Sequence, residues 1–240
     1  GKISKIVGLT IESEGPPVEL GEICVIKSSK NPKTIFAEVV GFRDKTVILM
    51  PLGDMEDLGP GWDVEASGKK MTTPVGAELL GRVLDGLGNP IDEKGPLKTK
   101  ISYPVFNNPP CPLDRPVIEQ PLPFGIRAID ALLTCGVGQR LGIFSGSGVG
   151  KSTLLGMIAR NTKADINVIA LVGERGRELN TFIAKDLGEE GIKRSVIVVA
   201  TSDNPPLVRT RAAFTATAIA EYFRDMGYSV ALLADSTSRW

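Results

Sequence analysis

The pattern of apolar positions changes about half-way along the chain. Residues 1–71 contain short stretches rich in β-branched residues, separated by segments of glycine, proline and polar residues. The stretches that predict strands are KIVGLTIE, GEICVIK, TIFAEVVGF and TVILMPL. Because strands and turns alternate here without a helical period, this part of the chain predicts a small antiparallel barrel or sandwich.

From Ile126 onward the apolar runs are continuous instead of alternating, as expected of strands buried on both faces of a parallel sheet. The runs are RLGIFSG, INVIALVG, SVIVVATS and SVALLAD. Segments with apolar residues at helical spacing separate them, including one that begins after Lys151. Strands that alternate with helices predict right-handed βαβ units, whose ligand site lies at the carboxyl ends of the strands.

Residues 72–125 connect the two patterns. Their proline content argues against long helices, and their interspersed apolar residues favour an extended strap over a neighbouring domain. We therefore predict two domains, an N-terminal β-barrel domain over residues 1–71 with a role in assembly and an α/β domain over residues 72–240.

The sequence SGSGVGKS, residues 145–152, has the spacing of a phosphate-binding loop, with Ser145 at the position of the usual first glycine. Its glycines allow backbone N–H groups to converge on phosphate oxygens, and the following helix N-terminus adds partial positive charge. Lys151 is expected to reach the β- and γ-phosphates and the Ser152 hydroxyl to ligate Mg²⁺. The predicted nucleotide-binding residues are Gly146, Ser147, Gly148, Val149, Gly150, Lys151, Ser152 and Thr153.

Acidic residues end two of the other predicted strands. Glu174 follows INVIALVG, at a position where a carboxylate can orient and polarise an attacking water. Asp235 ends SVALLAD and predicts a second Mg²⁺ ligand, whereas capping of the next turn is the alternative. Stabilisation of a helix N-terminus is a role that suits the Glu178 carboxylate better than that of Glu174. Arg239 follows at a distance that could face the γ-phosphate, with a surface role about equally favoured.

Composition removes several other kinds of site. The chain has no histidine, which excludes a Ser-His-Asp site and histidine-ligated zinc. Its 28 basic residues equal its 28 acidic residues, so no overall field attracts nucleic acid or an anionic membrane. The three cysteines form neither a metal pattern nor a disulfide framework, which indicates buried thiols and a reducing cytosol. No run reaches the ~18 apolar residues that span a bilayer.

Several motifs together resemble the hexameric ATPases of the rotary-ATPase superfamily. They are PFGIRAIDALLTCGVGQRLGIFSGSGVGKSTLL, GERGREL, AIAEYFRDMGYSVALLADSTSRW and LGRVLDGLGNPID. The N-terminal VGLTIESEGPPVELGEIC is most similar to the flagellar and type III secretion export ATPases. The resemblance covers essentially the whole chain. It implies a RecA-like P-loop NTPase domain with a parallel sheet, preceded by the small all-β barrel.

The resemblance also implies roles and partners. Lys151 would bind phosphate and Ser152 would ligate Mg²⁺. Glu174 would position the catalytic water, and Asp235 would help to hold the metal. Arg175 would be a further catalytic residue beside Glu174. The ligands would be ATP and Mg²⁺. The partners would be five further copies in a homohexamer, stalk and stator-like export proteins, chaperones and secretion substrates, at the cytoplasmic face of the membrane. The arginine finger, the adenine pocket and a C-terminal helical domain would lie beyond Trp240, so we expect the chain to be a fragment.

Four functions remain open at this point. The leading hypothesis is an ATPase that energises protein export, and the second is a catalytic subunit of an ion-translocating rotary ATPase. A RecA-like RNA translocase is a third, although the neutral charge balance and the few aromatic residues of the barrel speak against it. The non-enzyme alternative is a nucleotide-binding subunit that does not hydrolyse.

Overall fold

The computed structural model describes residues 1–28, 33–146 and 148–236. The chain divides into two compact units, one of residues 1–72 with residues 204–210 and the other of residues 73–203 with residues 211–240. Within the described residues, no helix is both long enough and apolar enough to cross a membrane.

Six antiparallel strands close into a barrel in the first unit, in the order β1-β2-β5-β4-β3-β6. The strands are β1 (Lys2–Val7), β2 (Thr10–Glu14), β3 (Glu22–Lys27), β4 (Thr34–Arg43), β5 (Thr46–Pro51) and β6 (Asp63–Lys70). Alternate residues point inward and form an apolar core that includes Ile11, Ile26 and Leu49. Each of the six described strands therefore pairs with two neighbours, with β1 and β6 closing the barrel at Lys2 and Asp63. The predicted β-barrel is confirmed.

The remainder of the chain alternates strands and helices. The strands are β7 (Thr72–Val75), β8 (Val83–Asp85), β9 (Ile101–Pro104), β10 (Ile166–Val172), β11 (Ser195–Ala200) and β12 (Val230–Asp235). The helices are α1 (Arg127–Leu132), α2 (Lys151–Asn161), α3 (Gly176–Thr181), α4 (Gly188–Lys193) and α5 (Pro206–Asp225). Short 3₁₀ turns cover Ala77–Leu79 and Pro112–Asp114, and a π-helical turn, Phe182–Leu187, joins α3 to α4.

Four of these strands form a parallel sheet in the order β12-β10-β11-β8. Every residue of β10 and β11 is buried, as their continuous apolar runs predict. Val168 and its alternate neighbours pack with α5 on one face, whereas Ile169 and its neighbours pack with α2 and the π-helical turn on the other. The predicted parallel-sheet α/β domain is confirmed.

Two expectations about the sheet were wrong. RLGIFSG, residues 140–146, has no strand structure, and the Phe144 ring lies over Gly142, where an added Cβ would be 2.6 Å from it. In the described sheet the hydrogen-bonded order is β12-β10-β11-β8, so this apolar run takes no place in it. The fourth strand is instead β8, within the segment predicted as a strap, because Val83–Asp85 pairs in parallel with β11.

The proline-rich segment and the cysteines also depart in part from expectation. The sequence predicts a strap over a neighbouring domain, yet Tyr103 and Phe106 pack on Tyr222 and Phe214 of α5 in the same unit, with ring centroids 6.0 and 4.9 Å apart. Cys24 and Cys135 are buried, as predicted, but Cys111 is exposed because it lies in the irregular part of this segment.

Candidate functional site

The phosphate-loop sequence leads directly into α2. Gly148 and Gly150 have φ angles of +75° and +98°, and Gly150 is the N-cap residue of the helix. Because side chains disfavour these angles, glycine is required here by backbone conformation. Added Cβ atoms would meet nothing within 4 Å, so packing does not impose the requirement. Lys151 and Ser152 form the first turn of α2, whose N–H groups have no carbonyl partner within the helix.

The described loop residues are open to solvent. Gly146, Val149 and Thr153 are exposed, and Lys151 is half-buried. Ser147 lies outside the described residues, as does Arg239. An exposed loop at a helix N-terminus leaves its N–H groups accessible to an anion.

Lys151 and Asp235 are in direct contact. The lysine Nζ forms an ion pair with Oδ1 of Asp235, which is the last residue of β12 and lies beside Leu171 of β10. The Asp235 side chain is 4% exposed and that of Lys151 is 31% exposed. A buried carboxylate without a cation would be strongly destabilising, so Lys151 neutralises Asp235 in this state of the protein.

A small cavity lies beside this ion pair. Three carboxylate residues and the Ser152 side chain line it, together with three apolar residues; the lining is Ser152, Leu171, Glu174, Glu178, Leu179, Phe182 and Asp235. The predicted residues Ser152, Glu174 and Asp235 therefore come together, as their positions at strand and helix ends predict. Carboxylate oxygens are hard donors of the kind that bind a divalent cation.

Glu174 follows β10 and is buried, with 9% exposure. Its carbonyl oxygen accepts a hydrogen bond from the backbone N–H of Ser202, 3.1 Å away. This bond ties the turn after β10 to the turn after β11 and fixes the backbone that carries the carboxylate. Arg175 differs: it is the exposed N-cap residue of α3 and does not line the cavity.

Glu178 was missed as a site residue. It lies in the first turn of α3, as the sequence interpretation assigns it, but it also lines the cavity. Spacing within one element does not mark it, because Glu174 precedes α3 and the cavity brings together residues of β10, α3 and β12. Stabilisation of the helix N-terminus and participation in the site are compatible roles.

The donor set fits a magnesium ion that is held together with a nucleotide. The Ser152 hydroxyl and the Asp235 carboxylate are hard oxygen donors at one cavity. Mg²⁺ keeps several waters and usually takes one or two carboxylates together with substrate phosphates. Among the described residues there is no group of three acidic, histidine or cysteine residues arranged to hold a metal alone.

Two models of known protein families match this chain. The model of the ATP synthase alpha/beta family nucleotide-binding domain matches residues 125–240, and that of the family's beta-barrel domain matches residues 3–68. The chain belongs to the ATP synthase alpha/beta family. The two matches fall on the barrel and on the α/β part of the chain.

Curated members of the family include export ATPases. The chain is 53% identical over 242 residues to the flagellum-specific ATP synthase of Bacillus subtilis, covering 100% of this chain and 55% of the relative. It is 47% identical over 240 residues to the type 3 secretion system ATPase of Xanthomonas euvesicatoria, covering 100% of this chain and 54% of the relative. The resemblance to flagellar and type III secretion ATPases is confirmed. The chain spans about half the length of these curated relatives.

Solved structures agree with the fold. The assembled ATPase EscN from the enteropathogenic E. coli type III secretion system superposes with a TM-score of 0.92 at 46% identity, over 100% of this chain and 57% of EscN. EscN in complex with its central stalk EscO gives a TM-score of 0.91 at 46% identity, over 100% of this chain and 58% of that EscN chain.

Proposed function

We propose that the complete protein hydrolyses ATP with Mg²⁺ and that hydrolysis energises protein export through a flagellar or type III secretion apparatus. One observation carries the catalytic part: Ser152, Glu174 and Asp235 line one cavity, beside a lysine that follows a phosphate loop. The names of the relatives, which are flagellar and type 3 secretion ATPases, support the biological part.

The proposed reaction assigns a task to each group. Loop N–H groups over residues 146–153, Ser147 included, and Lys151 Nζ bind the phosphate oxygens. Ser152 and Asp235 would hold Mg²⁺, which supplies positive charge to the β- and γ-phosphate oxygens when bound. Glu174 orients the water and accepts its proton while the water oxygen bonds to the γ-phosphorus and the bond to the bridging oxygen breaks. The products are ADP and phosphate.

Two further groups complete the proposal. Glu178 adds a carboxylate that can accept a hydrogen bond from the attacking water, since it lines the same cavity as Glu174. Arg175 would act beside Glu174, but it is exposed in this chain and would need a movement or a neighbouring subunit to act on substrate.

The proposed setting follows the solved relatives. The EscN structures are of the assembled ATPase and of its complex with a central stalk, which supports an oligomer and a stalk partner for the complete protein. The oligomer that we propose is a homohexamer. We further propose that residues 1–71 form an assembly domain and residues 72–240 the nucleotide-binding domain. Stator-like proteins, chaperones and secreted substrates are the other expected partners, at the cytoplasmic face of the membrane.

The catalytic proposal is tested by Glu174→Gln in the complete protein. Nucleotide binding should persist, because the phosphate loop is untouched, whereas steady-state turnover should fall by about 10²-fold or more for a lost general base. Glu189→Gln is the matched control, since Glu189 is an exposed residue of α4 outside the cavity. Unchanged turnover in Glu174→Gln would remove Glu174 from the mechanism.

The export proposal is tested by co-purification. A stalk-like protein and export chaperones should accompany the complete protein when it is isolated from its own cells under mild conditions. Stoichiometric recovery with the stator and membrane subunits of an ion-translocating ATPase would overturn the export assignment and leave ATP hydrolysis standing.

A further inference from the structure

Helix α2 and the π-helical turn, Phe182–Leu187, approach each other closely at one glycine. Gly156 is buried in α2, and a Cβ added there would lie 2.6 Å from the carbonyl oxygen of Asp186. The same Cβ would be 2.7 Å from the Asp186 Cβ and 2.8 Å from its carbonyl carbon. Carbon atoms pack favourably at about 3.5–4.0 Å, and the nearest atoms belong largely to backbone. Glycine is therefore the residue that this helix contact accommodates.

A second contact holds the same carbonyl. Arg160, one helical turn after Gly156, donates a hydrogen bond from Nη1 to the Asp186 carbonyl oxygen. Residues four apart lie on one face of a helix, so Gly156 and Arg160 present one side of α2 to the π-helical turn. Around this contact, Leu155 and Ala159 belong to the same apolar cluster as Phe182 and Leu187.

The two elements in contact carry opposite halves of the candidate site. α2 begins with Lys151 and Ser152, whereas α3 begins just after Glu174 and contains Glu178. The π-helical turn continues α3, and its first residue, Phe182, lines the cavity together with Ser152 and Glu178. The contact at Gly156 therefore joins the helix that carries Ser152 to the turn that continues the helix of Glu178.

We propose that Gly156 is a positioning residue for the reaction: its close contact with Asp186 sets the distance between the phosphate-binding end of α2 and the carboxylates at the start of α3. This inference rests on the ATPase function proposed above. Insertions that make π-helical turns are frequent at functional sites, where they alter the direction of a helix.

The proposal predicts a specific kinetic result for Gly156→Ala. The added methyl group forces α2 and the π-helical turn apart by roughly 1 Å to reach ordinary van der Waals separation. All phosphate-binding atoms lie on the loop and on α2, so nucleotide affinity should stay within about threefold of the wild-type value. The carboxylates move relative to the phosphates, and a misplacement of about 1 Å can lower turnover by 10- to 100-fold.

The experiment compares three variants of the complete protein by nucleotide dissociation constant and by kcat. Gly156→Ala should lose at least about tenfold in kcat with little change in affinity. Gly176→Ala is the matched control, since Gly176 is helical and an added Cβ there meets nothing within 4 Å. Arg160→Ala removes the hydrogen bond that holds the Asp186 carbonyl against α2 beside Gly156. It therefore loosens the same contact and should give a smaller loss of kcat of about threefold, again without a change in affinity.

Each outcome decides a different statement. A folded Gly156→Ala protein with wild-type kcat, or one whose affinity falls in parallel with kcat, overturns the positioning role. If Gly156→Ala does not fold, a wild-type kcat in Arg160→Ala overturns it. If the wild-type protein does not hydrolyse ATP, the proposed function fails instead. In that case, amide hydrogen exchange over residues 182–187 tests the contact. Exchange should be faster in Gly156→Ala than in Gly176→Ala. Equal exchange in the two variants would show that the contact does not position this turn.

Discussion

The ion pair between Lys151 and Asp235 makes the phosphate-loop lysine responsible for neutralising a buried carboxylate. Lys151→Met removes the ammonium and leaves Asp235, whose side chain is 4% exposed, without a cation beside two further carboxylates of the cavity. Removing one partner of a fully buried pair destabilises by 3–5 kcal/mol. Because the Lys151 side chain is 31% exposed and partly solvated, we expect a smaller loss than this, about 2–3 kcal/mol.

A double-mutant cycle isolates the pair. Lys151→Met with Asp235→Asn removes both charges, so the double variant should be more stable than Lys151→Met alone, with a coupling energy of about 1.5–3 kcal/mol. The assay is urea unfolding of the four proteins without nucleotide, followed by circular dichroism. Effects of the two substitutions that simply add would refute the inference that Lys151 neutralises Asp235.

The same pair predicts how nucleotide binds without magnesium. Lys151 must leave Asp235 to contact phosphate, so binding of metal-free ATP leaves the buried Asp235 carboxylate without its cation. Asp235→Asn should therefore bind ATP in EDTA at least about tenfold more tightly than the wild-type protein, equivalent to about 1.4 kcal/mol. Glu178→Gln is the control, because it removes a carboxylate of the same cavity without removing the partner of Lys151. Equal gains in both variants would indicate general charge repulsion instead of a broken ion pair.

Three further predictions concern the surrounding structure. The hydrogen bond from Arg82 holds the pKa of the Asp92 carboxyl well below its ordinary value of 3.8. Ionised Asp92 therefore stabilises the folded protein fully above about pH 4, and this stabilisation is lost as the pH falls through the lowered folded-state pKa. Asp92→Asn should lose less stability in acid than the wild-type protein, and an identical acid-unfolding profile would contradict this role. Arg194 donates four hydrogen bonds to carbonyl oxygens at the C-terminal end of α2 and just beyond it. Arg194→Met should therefore lower the free energy of unfolding by about 2–4 kcal/mol. A loss under about 0.5 kcal/mol would refute the capping role of Arg194. Gly150→Ala places an alanine at φ +98°. This substitution should lower the free energy of unfolding by about 1–3 kcal/mol and weaken nucleotide binding. A variant that binds nucleotide normally would show that binding does not require this backbone conformation.

The sequence predicted those parts of the site that depend on local chemistry. The glycine and lysine spacing of residues 145–152 identified a loop followed by a helix, because positive φ angles and a helix N-terminus are local properties. The continuous apolar runs of β10 and β11 identified strands buried on both faces. The acidic residues at the ends of β10 and β12 placed Glu174 and Asp235 at one cavity, since parallel strands end at one edge of the sheet.

Features that depend on a distant partner were not predicted. Apolar content marked residues 140–146 as able to form a strand, but a strand also needs a neighbour, and the short Val83–Asp85 segment has one in β11. The cavity lining by Glu178 depends on how α3 lies against β10, and the requirement for Gly156 depends on Asp186, thirty residues away. Neither is visible in the spacing of residues within one element.

The central claim is that this site cleaves ATP by activating water through Glu174. A single-turnover experiment with limiting γ-labelled ATP and Mg²⁺ tests it most directly, because it separates bound nucleotide from cleaved nucleotide. The wild-type complete protein should convert its bound ATP to ADP and phosphate, whereas Glu174→Gln should bind a similar amount and cleave it at least about 10²-fold more slowly. Cleavage by Glu174→Gln at the wild-type rate, or wild-type protein that binds ATP and leaves it intact, would contradict the account.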